Sequence, residues 1–154
     1  MKSALIAARH GDYTQSLDLS EFGKQQTRKL AEAIRVAVDG YGLRTFLLCS
    51  TAPRAMQGGE ILAEILQIPK ENVGYHECLW EDKRHPGSLQ EACRLVNEVL
   101  QDGVLLIVMS HVHMAPAIVN WALTRKYGNH LDLASEPKYG QGILVAEGML
   151  KTLP

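Results

Sequence analysis

The stretch that decides the fold is Val104 to Met109, which reads V-L-L-I-V-M and is followed directly by Ser110 and His111. A continuous apolar run of this length, without polar residues at alternate positions, is typical of a strand that is buried on both faces. Such strands occur in parallel sheets that carry helices on both sides. We therefore expect an α/β protein with further strand and helix units on either side of this stretch.

Two such units are predicted towards the amino terminus. Ser3 to Ala8 is a short apolar run, and Leu19 to Val38 then has apolar residues at helical spacing behind Ser20, a candidate N-cap. Thr45 to Cys49 is again short and apolar, and Pro53 marks the start of the next helix. The alternation of strand and helix indicates a sheet that is mostly parallel.

The carboxyl-terminal half continues this pattern. A weaker strand is expected at Asn72 to His76, and Ser88 with Glu91 forms an S-x-x-E capping box before another helix. A last strand is expected near Gly142 to Ala146, at an edge of the sheet and antiparallel to it. The predicted fold is a three-layer α/β/α sandwich with a mostly parallel central sheet and an antiparallel C-terminal edge strand, in a single domain over residues 1–154.

The composition excludes several classes of protein. The chain has 154 residues, of which 46% are hydrophobic and 21% charged, and its formal net charge is −1. A nearly neutral chain has no overall field that would attract nucleic acid or an anionic membrane, and no apolar run reaches the ~20 residues that span a bilayer. The 3 cysteines have no C-x-x-C spacing, so neither a disulfide framework nor a zinc site is expected. These features predict a cytoplasmic protein without nucleic-acid or membrane partners.

Polar side chains follow three of the predicted strands at the point where each strand ends. Arg9 to Gly11 follow the first strand, Ser50 to Ala55 follow the second, and Ser110 with His111 follow the strand that ends at Met109. Ligands of open α/β sheets bind beyond the carboxyl ends of the strands. We therefore expect these segments to form one site.

The residue types in these segments suit a phosphoryl group. The guanidinium groups of Arg9 and Arg54 carry N–H donors in a fixed plane, which match the oxygens of a phosphate. The helix that begins near Pro53 would direct its positive end at the same anion, and the Ser50 hydroxyl adds a hydrogen-bonding group. We expect Arg9, Arg54 and Ser50 to bind phosphate.

Histidines among these cations are candidates for catalysis. Nearby positive charge lowers the pKa of an imidazole and keeps it neutral, so that it can attack phosphorus. His10 is the candidate nucleophile, because Gly11 directly after it lets the backbone approach a bound oxyanion. His111 would donate a hydrogen bond to the group in transfer and stabilise the transition state.

These motifs resemble those of the histidine phosphatase superfamily, which is also called phosphoglycerate-mutase-like. Besides the three strand-end segments, Leu19 to Gln26 (L-S-E-F-G-K-Q-Q) is similar to the L-T-x-x-G-x-x-Q helix start of that family. The short chain and its Arg-His-Gly-Asp start at Arg9 are most similar to the small phosphohistidine-phosphatase branch. Two positions differ from the family pattern, because Gly58 replaces the threonine of R-A-x-x-T-A and Val112 replaces the glycine of S-H-G.

The resemblance implies that His10 becomes phosphorylated, that Arg9, Arg54 and His111 hold the phosphoryl group, and that neither a metal nor a cofactor takes part. The expected activity is hydrolysis of a phosphomonoester or of phosphohistidine, so the partner is a phosphorylated small molecule or a phosphohistidine protein. Two alternatives remain open. One is a non-catalytic phosphoryl-binding module of the same fold, and the other is a phosphoglycerate-mutase-like phosphotransferase.

The proton donor to the leaving group is less well defined. An alkoxide leaving group needs an acid, and Glu77, Glu81 and Asp82 all follow the strand that ends at His76. We rank Glu77 first and Glu81 second, while the small phosphohistidine-phosphatase branch implies no acid here. A cysteine phosphatase is set aside, because Cys49 and Arg54 have a C-x4-R spacing and that chemistry requires C-x5-R.

Overall fold

The computed structural model describes residues 1–128 and 134–154. The short 3-10 turns cover Lys70–Asn72 and Glu77–Leu79. The longer elements, in chain order, are β1 (Ala4–Arg9), α1 (Glu21–Val38), β2 (Arg44–Ser50), α2 (Pro53–Ile65), β3 (Val73–His76), α3 (Leu89–Val99), β4 (Val104–Ser110), α4 (Met114–Arg125), β5 (Gly142–Ala146) and β6 (Met149–Leu153).

The strands form one sheet in the order β3-β2-β4-β1-β5-β6. β1 pairs with β4, and β2 pairs with both β3 and β4, and all three pairs are parallel. β5 is antiparallel to β1, and β6 is antiparallel to β5. Every residue of β4 is buried, as its apolar sequence predicts. The predicted mostly parallel sheet with an antiparallel C-terminal edge is confirmed.

The C-terminal edge contains one more strand than the sequence pattern predicts. The strand expected at Gly142 to Ala146 is β5, which is buried and paired on both sides. The outermost strand is β6, whose residues are mainly exposed. Gly148, at a φ of 71° in the turn between them, lets the chain reverse tightly into this second strand.

Each face of the sheet packs on a pair of helices. Side chains alternate along β1, so Ala4, Ile6 and Ala8 pack in a core with α1 and α2, while Leu5 and Ala7 pack in a second core with α3 and α4. Two apolar cores on opposite faces of one sheet confirm the predicted three layers.

The predicted helix starts are also present. The Ser20 hydroxyl accepts a hydrogen bond from the Gly23 backbone N–H at 3.0 Å, and the Ser88 hydroxyl accepts one from Glu91 N–H at 3.2 Å. Pro53 is the first residue of α2. These caps satisfy N–H groups that a helix cannot pair internally.

The loop after β1 lies directly on the first turn of α1. A Cβ atom added to Gly11 would overlap the Gly23 carbonyl and lie 2.8 Å from its Cα, and one added to Gly23 would overlap the backbone of Asp12. The two glycines therefore allow a backbone-to-backbone contact that no larger residue permits. This contact fixes the position of His10, which precedes Gly11.

Candidate active site

The carboxyl ends of β1, β2 and β4 border a cleft of about 530 Å³. Its lining includes Arg9, His10, Arg54 and His111, which the sequence places on separate segments. His10, Arg54 and His111 are each less than 5% exposed. The structure thus brings together the side chains that the strand-end pattern singles out.

The hydrogen bonds of His10 define its tautomer. Its Nδ1 lies 2.8 Å from the carbonyl oxygen of Gly11, so Nδ1 carries the proton and donates it. Its Nε2 then has the free lone pair, which accepts a hydrogen bond from Arg54 Nε at 3.1 Å. The nitrogen of His10 that faces the cleft cation with a lone pair is therefore Nε2.

The two buried histidines of the cleft, His10 and His111, are neutral near pH 7. Burial, with smaller contributions from Arg54 and Arg9, lowers the pKa of His10 to about 4. Burial, together with His10 and Arg54, lowers the pKa of His111 to about 3. The expected effect of the cations is present, but burial is the larger cause because it withdraws water from the charged imidazole.

Ser50 lies behind His111. Its Oγ is 2.8 Å from His111 Nε2 and also accepts a hydrogen bond from Ala52 N–H at 3.2 Å. The Ser50 side chain is fully buried. This geometry suits a residue that orients the His111 ring. Direct contacts of the Ser50 hydroxyl and of the Gly11 backbone with phosphate stay predictions.

Two tyrosines contact the arginines, and the sequence pattern does not reveal either. Arg9 Cζ lies 3.7 Å from the centroid of the Tyr139 ring, and Arg54 Cζ lies 4.6 Å from that of Tyr13. Tyr139 belongs to the segment before β5, which has no motif that marks it as part of a site. The antiparallel pairing of β5 with β1 brings this segment to the cleft.

The candidate proton donors separate into two groups. Glu81 and Asp82 line the cleft, whereas Glu77 is exposed in the 3-10 turn after β3 and is not part of the lining. Glu77 differs from the other two because the 3-10 turn Glu77–Leu79 begins directly after His76 and keeps Glu77 away from the cleft. The first-ranked prediction, Glu77, therefore receives no support from the cleft, and Glu81 is better placed.

Asp82 is held as a carboxylate. Burial alone would raise its pKa, but hydrogen bonds from the Arg84 backbone, the Trp80 indole and His85 outweigh burial and hold the pKa of Asp82 well below its usual range. Its Oδ2 also lies 3.4 Å from Arg54 Nη2. An ionised carboxylate has no proton to give, so Asp82 is unsuited as the acid.

The cysteine alternative conflicts with the environment of Cys49. This residue is fully buried in β2, and burial raises the pKa of its thiol to about 12. A cysteine nucleophile must be a thiolate. Cys49 is thus a core residue.

Residues 1–128 and 134–154 contain no group of three or more His, Cys, Asp or Glu side chains arranged to hold a metal ion. No helix in these ranges combines the length and the apolar character needed to cross a membrane.

Comparisons with known proteins identify the fold. No protein-family model matches the chain, and no curated protein matches it. Among solved structures, the protein histidine phosphatase SixA complexed with tungstate is similar, with a TM-score of 0.65, 18% identity, and coverage of 97% of this chain and 96% of SixA. A mycobacterial glucosyl-3-phosphoglycerate phosphatase has a TM-score of 0.64 at 14% identity, with 97% of this chain and 95% of that chain covered.

A phosphoglycerate mutase from Plasmodium falciparum is similar as well, with a TM-score of 0.63, 12% identity, and coverage of 97% of this chain and 89% of the mutase. All of these proteins share their fold with this chain over nearly its whole length. The chain therefore has the histidine phosphatase, or phosphoglycerate-mutase-like, fold that its motifs predict. Because the three similar proteins are named for different reactions, the fold does not select the substrate.

The lowered histidine pKa values predict a pH dependence of stability. A native pKa of about 4 for His10 lies below the ordinary 6.5, so below pH 6.5 the unfolded chain binds more protons than the native protein. The free energy of unfolding should therefore fall as the pH decreases from about 6.5 to about 4, with a contribution from His10 on the order of 3 kcal/mol. Urea denaturation at several pH values should show a smaller decrease for His10→Gln than for the wild type. Equal decreases for both proteins would contradict the buried, neutral state of His10.

Proposed function

We propose that this protein is a histidine phosphatase that hydrolyses its substrate through a phosphohistidine intermediate on His10. The observation that carries the proposal is the buried, neutral His10, whose Nε2 lone pair faces the guanidinium of Arg54 in a cleft that also contains Arg9 and His111. A neutral imidazole beside fixed cations is suited to attack a phosphoryl group and to stabilise the charge of that group. The similarity to phosphatases of the same fold supports this assignment.

In the first step, His10 Nε2 attacks phosphorus in line with the leaving group. The Nε2–P bond forms while the bond from phosphorus to the leaving group breaks, and Arg9, Arg54 and His111 hold the equatorial oxygens. The Arg54 Nε–H, which bonds to Nε2 in the free protein, then donates to a phosphoryl oxygen instead. The Gly11 carbonyl accepts a hydrogen bond from Nδ1–H and stabilises the positive charge that develops on the ring.

In the second step, water attacks the phosphorus of phospho-His10. The P–N bond breaks, its electron pair returns to Nε2, and inorganic phosphate leaves after the attacking water has lost a proton to solvent. His10 is then neutral again, in the tautomer that the Gly11 carbonyl selects. No residue has to store a proton between turnovers.

The carboxyl groups of the cleft favour a phosphohistidine-type substrate over an alkyl phosphate. Asp82 is ionised, and Glu81 Oε1 already accepts hydrogen bonds from the backbone N–H groups of His113 and Met114, both at 3.1 Å. An alkoxide leaving group depends on an acid, whereas the leaving nitrogen of a phosphoramidate is protonated more readily. We propose phosphohistidine as the substrate class, with a phosphomonoester that uses Glu81 as the alternative.

The other two alternatives from the sequence are still to be distinguished. A non-catalytic phosphoryl-binding module would keep Arg9, Arg54 and His111 but would not form a covalent intermediate. A phosphotransferase would form phospho-His10 but pass the phosphoryl group to a second substrate. The fold similarity to a phosphoglycerate mutase is consistent with this reaction. Covalent labelling and product analysis separate the three.

The phosphoenzyme is tested with a radiolabelled phosphoryl donor and rapid denaturation. Wild-type protein should acquire acid-labile label that persists in alkali, because a phosphoramidate is broken by acid, and His10→Ala should acquire none. His113→Ala is the matched control, since His113 also lines the cleft but is mostly exposed. Label in His10→Ala would refute the assignment of the nucleophile. Absence of label and of phosphate release in the wild type would favour a binding module, and transfer to an added acceptor would indicate a phosphotransferase.

The substrate class is tested by comparing kcat/KM for a phosphohistidine peptide and for an alkyl phosphate. We expect the peptide to be preferred by about 100-fold, the lower end of what a general acid contributes. Glu77→Gln and Glu81→Gln should each retain phosphohistidine hydrolysis within about twofold. Equal use of both substrates, with a selective loss of alkyl phosphate turnover in one variant, would instead identify that residue as the acid.

A further inference from the structure

The two arginines of the cleft are held in different ways. Arg54 donates from Nε to His10 and approaches Asp82 with Nη2, whereas its buried Nη1 has no partner in residues 1–128 and 134–154. Among the described residues, Arg9 donates a side-chain hydrogen bond only from Nη1 to the carbonyl of Pro137, at 3.3 Å, and its buried Nε has no partner. Within the described part of the chain, no carboxylate forms a hydrogen bond or an ion pair with Arg9. Hydrogen bonds alone therefore do not account for the position of its guanidinium.

The Cζ atom of each guanidinium lies over an aromatic ring. Tyr139 covers Arg9 at 3.7 Å, and Tyr13 covers Arg54 at 4.6 Å, both measured from Cζ to the ring centroid. The ring centroids of these tyrosines are 6.0 Å apart, and they lie 5.4 Å (Tyr13) and 5.7 Å (Tyr139) from that of His10. The tyrosines thus form a wall of the phosphoryl site on the side of both arginines.

A ring differs from a carboxylate as a partner for such an arginine. A carboxylate would occupy the N–H groups at the edge of the guanidinium and add a negative charge that repels phosphate. A ring attracts the cation through its face, where the guanidinium has no N–H groups, and adds no net charge. The donors at the edge remain available to phosphoryl oxygens.

The backbone next to Tyr139 is hydrogen-bonded to the backbone of Arg9 and His10. Gly140 N–H donates to the carbonyl of His10 at 3.0 Å, and Arg9 N–H donates to the carbonyl of Gln141 at 2.9 Å. Gly140 has a φ of 67°, and a Cβ atom at this position would approach Gln26 Cβ at 2.5 Å. This close contact with α1 sets the position of the ring relative to Arg9.

We propose that Tyr139 and Tyr13 are positioning residues, each of which holds the face of one arginine so that its N–H edge is directed at the phosphoryl group. The inference rests on the proposed function for its consequence in turnover, but its effect on anion binding does not require catalysis. Arg9 depends on its ring more than Arg54 does, because Arg54 has further contacts with His10 and Asp82. Tyr139 is therefore the more important of the two.

The test compares Tyr139→Leu with Tyr139→Phe, using calorimetric binding of inorganic phosphate and the kinetics of a phosphohistidine peptide. Tyr139→Leu should weaken phosphate binding by about three- to tenfold and lower kcat/KM by at least as much, because a partly desolvated cation–π contact is lost. Tyr139→Phe should stay within about twofold of the wild type, since the ring face is kept. Tyr13→Leu should have a smaller effect than Tyr139→Leu.

The control variant is Tyr41→Leu, which changes an exposed tyrosine in the turn between α1 and β2, away from the carboxyl ends of the strands. It should leave phosphate affinity unchanged, and thermal unfolding should show that every variant is folded at the assay temperature. Unchanged phosphate affinity in Tyr139→Leu, or an equal loss in Tyr139→Phe, would overturn the proposal. If phosphate binding weakens as expected while the wild type forms no phosphoenzyme, the positioning role stands and the proposed hydrolase function fails.

Discussion

The withdrawal of a neutral imidazole from water beside two fixed cations is the constraint on which the rest of the site depends. Burial lowers the pKa of His10 more than either arginine does, so the fully neutral state of this imidazole depends on the shape of the cleft. Acid lowers the free energy of unfolding, because a protonated His10 would be a buried third cation next to Arg9 and Arg54. The fold therefore has to hold these three side chains in place before any substrate arrives.

The fold meets this requirement through its central strands. β1 and β4 are adjacent, parallel and fully or largely buried, so Arg9 and Ser110 end the two strands at the same level and His10 and His111 follow directly. The ring centroids of the two histidines are 5.0 Å apart as a result. The contact between Gly11 and Gly23 then joins the loop that follows His10 to α1, and Ser50, the last residue of β2, lies against His111.

Much of this arrangement could be predicted because it depends on local sequence. Continuous apolar runs identified the buried strands, Ser20, Ser88 and Pro53 marked the helix starts, and the parallel order then required Arg9, His10, Arg54 and His111 to converge. Other features depend on tertiary contacts that leave no local pattern. The position of Tyr139 follows from the antiparallel return of β5, and the exclusion of Glu77 from the cleft follows from a 3-10 turn. A short, mainly exposed strand such as β6 has too weak an apolar pattern to be identified beforehand.

The most direct measurement of the central claim is an NMR titration of the imidazole nitrogens of His10 with ¹⁵N labelling, assigned by comparison with His10→Gln. The account predicts a neutral ring that carries its proton on Nδ1 and a pKa near 4, far below the ordinary 6.5 of a histidine. A pKa close to 6.5 would contradict the withdrawal of His10 from water. A neutral ring protonated on Nε2 would contradict its proposed role as nucleophile, because Nε2 would then have no free lone pair.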